Sequence, residues 1–205
     1  MEDEHLDKTA WRQRVVSERR SRLALATSPV PDAVSQPAPD LAFAPGLEGV
    51  LPSAGEWAAA YLSLADEPPT AELLQFFAAR EIRVLVPAPG PARRDVAWAE
   101  VEAATCGLPA APPGQLPEPA GPRLEASALG RCRLVLAPAL AVDLGGTRLG
   151  RGGGWYDRAL AHAAEGALVL AACFPWEVLP AGSLPREAHD RPVDGALTGA
   201  GVALF

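Results

Sequence analysis

The chain has 205 residues, a formal net charge of −7 and 49% hydrophobic residues, enough for one domain with a sizeable core. That charge argues against general nucleic-acid binding, which needs a basic face, and no apolar run is long enough to span a bilayer. The opening residues, MEDEHLDK, are acidic, unlike the basic start of a signal peptide, so we expect a soluble, cytoplasmic protein with no nucleic-acid or membrane partner.

Arginine supplies every basic side chain but one; Lys8 is the only lysine. From about Asp7 to Ala26 the chain reads as a helix, with Trp11, Val15 and Leu23 recurring on one side. Lys8 and Arg12 are one turn apart, and Arg19 falls near the same face. A solvated basic stripe is the default reading of that face. The proline-rich stretch at about 28–40 is an irregular connection. Trp57 to Leu64 reads as a strand and the following ADEPPT as a loop. Thr70 is a plausible N-cap for a helix over 71–80, with Leu73, Leu74 and Phe77 inward. Ile82 to Pro87 is a short buried strand, and the stretch at about 109–122 is a second proline-rich irregular segment.

Arg133 to Val142 reads as a strand running into a loop, followed by the glycines of RLGRGGGWYDR and a helix from about Trp155 to Ala164. A strand over 167–173, a polar loop and a last short strand at 195–197 complete the chain. The alternation predicts one α/β domain with helices on both faces of the sheet. The cysteines Cys106, Cys132 and Cys173 form no C-x-x-C pair and read as buried, reduced thiols.

The order strand, glycines, helix can turn backbone N–H groups toward an anion, with Arg148 and Arg151 adding charge-assisted bonds to phosphate oxygens. No Gly-Lys-Ser/Thr follows, so this is not a P-loop, and a simple tight turn is the other reading of the glycines. Asp157, just inside the helix, is favoured there by the helix dipole and is also near enough to a bound phosphate to hold Mg2+. Asp190 and Asp194 are both candidates for a second carboxylate. His189 reads as a loop histidine orienting its neighbour Asp190 rather than as an acid–base group.

LAPALAVDLGGTRLGRGGGWYDRAL resembles the signature of the 5-formyltetrahydrofolate cyclo-ligase family, and LPREAHDRPVDGALT its C-terminal signature. The Lys8-x-x-x-Arg12 helix, AAYLSLADEPPT and GQLPEP resemble further elements in the family's order. The resemblance implies a three-layer α/β/α sandwich around a mixed, mostly parallel sheet. It implies ATP- and Mg2+-dependent conversion of 5-formyltetrahydrofolate to 5,10-methenyltetrahydrofolate, through a phosphorylated formyl group that a neighbouring nitrogen displaces. In that pattern Lys8, Arg12, Arg148, Gly150, Arg151, Gly152, Gly153, Gly154, Trp155 and Tyr156 match the ATP site, with Lys8, Arg148 and Tyr156 closest to the chemistry. Glu67 matches the folate-binding glutamate, Trp155 and Tyr156 the wall between the ligands, and Asp157 and Asp190 the metal ligands. The chain departs from the usual pattern at 65–70, where prolines follow Glu67, and at Trp155, where the family more often has tyrosine. Two other readings are a folate- or nucleotide-binding module without turnover and a phosphate-handling enzyme of similar layout.

Overall fold

The computed structural model describes residues 6–26, 40–88, 95–101, 119 and 121–205. The GQLPEP turn and most of both proline-rich segments lie outside the described residues, as does Cys106.

Three helices and eleven strands follow in chain order: α1 (Lys8–Ala26), β1 (Trp57–Ala59), α2 (Ala71–Ala79), β2 (Arg83–Pro87), β3 (Ala97–Val101), β4 (Leu124–Glu125), β5 (Cys132–Pro138), β6 (Ala141–Asp143), β7 (Arg148–Leu149), α3 (Trp155–Leu160), β8 (Leu168–Ala172), β9 (Val178–Leu179), β10 (Gly195–Thr198) and β11 (Gly201–Leu204), counted among the described residues. Eight strands form one sheet in the order β11-β10-β8-β5-β1-β2-β3-β4. Its five inner strands are parallel; β11 pairs antiparallel with β10 on one side, and on the other β3 pairs antiparallel with β2 and β4 antiparallel with β3. The expected mixed, mostly parallel sheet is therefore present.

The inner strands are apolar at nearly every position because both faces are covered. Leu134, Leu136, Leu170, Val84 and Val86 point to one face, where they pack with Leu73, Leu74 and Phe77 of α2 and with Leu41 and Leu47. Val135, Val169, Ala171 and Leu85 point to the other, against Leu129, Ala159 and Leu160. A second sheet, β7-β6-β9, receives α1, whose Val15 packs with Leu140, Leu149 and Leu184.

Several boundaries differ from the sequence expectation. The strand expected over 57–64 pairs as a strand only through Ala59, and the chain then turns so that the Tyr61 hydroxyl can donate to the Pro68 carbonyl at 3.0 Å. The strand expected over 133–142 breaks after Pro138, and its far end joins the second sheet as β6. Helix α3 stops at Leu160, four residues early, because i→i+3 bonds from His162 to Ala159 and from Ala163 to Leu160 tighten its end. Thr70 sits at the N-cap of α2, but its hydroxyl donates to the Tyr61 carbonyl at 2.8 Å. The helix is capped instead by Asp40, whose carboxylate accepts from the N–H groups of Glu72 and Leu73 at 3.3 and 3.2 Å. Cys132 and Cys173 are buried, as expected, and burial pushes both thiols up, Cys132 to about 12.

Candidate functional site

Parallel α/β sheets place their ligands at the carboxyl ends of the strands. The segments leaving β1, β5 and β8 at that end carry the loop 60–70, the residues 139–154 and the turn 173–177. Helix α1 ties these segments together through one face. Its apolar side packs on the second sheet, which leaves Lys8, Arg12 and Arg19 to reach other parts of the chain.

The Lys8 ammonium donates to both carboxylate oxygens of Asp190 at 2.7 and 2.6 Å, and lies 3.4 Å from Glu187. Arg12 donates from Nε to the Gly150 carbonyl at 3.0 Å. The start of α1 thus bridges the glycine loop and the loop 187–190. Burial alone would raise the Asp190 carboxyl. The Glu187 N–H and the Lys8 ammonium outweigh it and hold the carboxyl below its ordinary value.

Within the glycine loop, Gly152 has φ +95°, a conformation that other residues adopt at a cost, and a Cβ there would stand 3.3 Å from the Arg12 guanidinium carbon. Gly154, at φ +62°, starts α3. A side chain at Gly153 would meet nothing within 4 Å, so the backbone here is open to approach. Arg151 reaches out of the loop to Asp66 at 2.6 Å and Glu67 at 3.0 Å. Arg148 turns inward: its side chain is 3% exposed, donates to Asp157 at 3.0 Å and to the Pro138 carbonyl at 3.2 Å, and leaves Nε without a partner among the described residues.

Glu67 is 8% exposed and spends its second oxygen on the Leu64 N–H at 3.0 Å. Tyr156 lies over the Arg148 guanidinium and beside Trp155, with ring centroids 4.9 Å apart, and its buried hydroxyl has no partner among the described residues. Burial, and then the charge of Glu67, push that phenol well above its ordinary value, so it stays a neutral donor. The Trp155 indole donates to the Asp95 carbonyl at 3.0 Å and packs edge-on against Trp98.

Asp190 and Asp194 lie at different ends of the sheet. Asp194 accepts from the Val169 N–H at 2.8 Å, at the start of β8 and so at the opposite edge of the sheet. Asp157 and Asp190 are each held by a cation of their own, Arg148 and Lys8. Among the described residues, Glu187, His189 and Asp190 bring donor atoms within 4.8 Å of one another, a set that could hold a metal ion. His189 is exposed and stands 3.3 Å from Glu187 and 3.9 Å from Asp190.

One member of the basic stripe is not solvated at all. Arg19 is 1% exposed and makes a two-pronged bond to Glu177 at 2.7 and 2.6 Å. Burial pushes the Glu177 carboxyl above its ordinary value while Arg19 pulls against that shift. Nothing local marks Glu177 in FPWEVL as a partner. The signal that was available is the position of Arg19 on the same helical face as Lys8 and Arg12.

The family model for 5-formyltetrahydrofolate cyclo-ligases matches residues 53–199. A 5-formyltetrahydrofolate cyclo-ligase of Mycolicibacterium smegmatis is 38% identical over 189 residues, covering 89% of this chain and 92% of that protein. Among solved structures, the 5,10-methenyltetrahydrofolate synthetase of Aquifex aeolicus aligns with a TM-score of 0.62 at 22% identity, over 96% of this chain and 92% of its own. The synthetase of Mycoplasma pneumoniae aligns with a TM-score of 0.59 at 15% identity, over 94% and 98%. These two structural likenesses bear on the fold alone.

Proposed function

This chain belongs to the 5-formyltetrahydrofolate cyclo-ligase family, and we propose that it converts 5-formyltetrahydrofolate to 5,10-methenyltetrahydrofolate with Mg2+ and ATP, releasing ADP and phosphate. The observation that carries the reading is the convergence of Lys8, Arg12, the open glycine backbone and Asp190, four parts drawn from both ends of the sequence. On this reading residues 1–205 act as one domain, in the cytoplasm and as a monomer.

The residues fit the groups assigned to them. Lys8 and Arg12 offer cationic donors, and the backbone of Gly150, Gly152, Gly153 and Gly154 offers N–H groups with no side chain in the way at Gly153. The unpartnered Tyr156 hydroxyl adds a neutral donor where the glycine loop meets Glu67. Asp190 and Asp157 would hold Mg2+, an ion that prefers carboxylate, water and phosphate oxygens. Bound Mg-ATP would supply a phosphoryl group that turns the formyl oxygen into a leaving group.

Such a transfer asks a protein for alignment and charge stabilisation more than for a nucleophile. Lys8 and Arg12 would neutralise the phosphates, and Arg148, from its buried seat, would fix the direction of Asp157. Arg151 would stand between the phosphates and the folate loop, where Glu67 binds the folate. Trp155 and Tyr156 would form the wall that keeps water out. The test is direct: purified protein given 5-formyltetrahydrofolate should develop the absorbance of the methenyl product only when Mg-ATP is present. No product under those conditions would overturn the reading.

A further inference from the structure

Arg19 has a place that its burial alone does not explain. Its guanidinium donates to Glu177 by two bonds, to the Ala139 carbonyl at 3.0 Å and to the Asp66 carbonyl at 3.0 Å. Those acceptors lie on the segments that leave the carboxyl ends of β8, β5 and β1, three strands adjacent in the sheet. Glu177 is itself fixed, since it also accepts from the Phe174 N–H at 2.9 Å. The guanidinium is further packed on the Phe174 ring, 5.0 Å from its centroid. A planar fork with five donors can span three such acceptors at once; an ammonium on a flexible stem cannot.

The Asp66 carbonyl is the informative contact. It belongs to the tight turn 64–67, closed by the Glu67 N–H to the Leu64 carbonyl at 3.0 Å, and the peptide it heads is the one that carries Glu67. The turn meets Arg151 through the side-chain carboxylates of Asp66 and the buried Glu67. Its backbone is held from beneath by Arg19.

We infer that Arg19 is a positioning residue, which aims Glu67 at the folate by pinning the Asp66 peptide to the ends of β5 and β8. The inference rests on the folate-binding reading of Glu67 given above. It separates the two halves of α1: Lys8 and Arg12 serve the nucleotide, whereas Arg19 serves the folate without touching it.

The test compares wild type with Arg19→Lys, which keeps a cation beside Glu177, and with the pair Arg19→Met and Glu177→Gln. The pair removes the ion pair together, so no lone charge is buried and the acceptor for the Phe174 N–H remains. Both variants are measured for far-ultraviolet circular dichroism, for Mg-ATP affinity by calorimetry and for the Michaelis constants. The inference predicts folded variants with nucleotide affinity within about twofold of wild type and a folate KM raised about tenfold, with kcat less affected, as expected when ground-state and transition-state binding are lost together. A folded variant with an unchanged folate KM, or with nucleotide affinity lost in the same proportion, would overturn it and leave Arg19 a structural strut. A wild type without turnover would instead overturn the functional reading and this inference with it.

Discussion

The start and the middle of α1 carry the same kind of residue to opposite effect. At its start, Lys8 and Arg12 are partly exposed, and each meets a loop that a ligand could also reach: the carboxylate of Asp190 and the carbonyl of Gly150. Two turns further on, Arg19 is buried and its donors are consumed by protein. Sequence position and helical face are nearly equivalent; solvent access decides whether a cation is available for binding or is committed to structure.

The sharpest way to break this contrast is to delete the cation at each place. Arg19→Ala leaves Glu177 buried with an uncompensated charge and should cost about 3–5 kcal/mol in denaturant unfolding, enough to compromise folding. Lys8→Ala should leave the unfolding midpoint nearly unchanged, because Asp190 keeps its Glu187 N–H, yet lower turnover by about 10²–10³, on the scale of losing one charge-stabilising donor. If Lys8→Ala destabilises the protein as much as Arg19→Ala, the contrast fails.

A smaller effect concerns acid. The Asp190 carboxyl lies lower in the folded protein than its unfolded value of 3.8. Its contribution is therefore present above that value and is lost as pH falls through the lower folded one. Hydrogen exchange should show the first turn of α1 losing protection below about pH 3.8, while the stretch around Arg19 and the β5–β8 pairing hold longer; simultaneous loss along all of α1 would count against the comparison. A cap far from both places gives a modest reference: Asp40→Ala removes the acceptor for two α2 N–H groups and should cost about 1 kcal/mol without altering kinetics. The smallest effect is expected at the exposed Arg22–Glu18 pair of α1, where Arg22→Ala should change stability by about 0.5 kcal/mol or less.

What could be read from the sequence follows the same division. The inner strands were legible because their apolar runs are long, and α2 because Leu73, Leu74 and Phe77 recur at helical spacing. Lys8 and the glycine run stood out locally, as the only lysine and as consecutive glycines, whereas the contacts of Lys8 with Asp190 and of Arg12 with Gly150 show only in the folded chain. The Arg19–Glu177 pair was not legible, since its partners are 158 positions apart and each looks like an ordinary surface charge. The second sheet was missed because its strands are only two or three residues long and pair across distant parts of the chain. The capping of α2 by Asp40 was hidden for the same reason: Thr70 is the local choice, and only the folded chain shows its hydroxyl spent on Tyr61.

The central claim is that the first turn of α1, the glycine loop and the loop at Asp190 together bind a magnesium-bound nucleotide. Calorimetric titration of wild type and Lys8→Ala with ATP, each with Mg2+ and with a chelator, tests it most directly. The account predicts binding by wild type that weakens at least tenfold in the variant and also on removing the metal; equal affinity in all four titrations would contradict it.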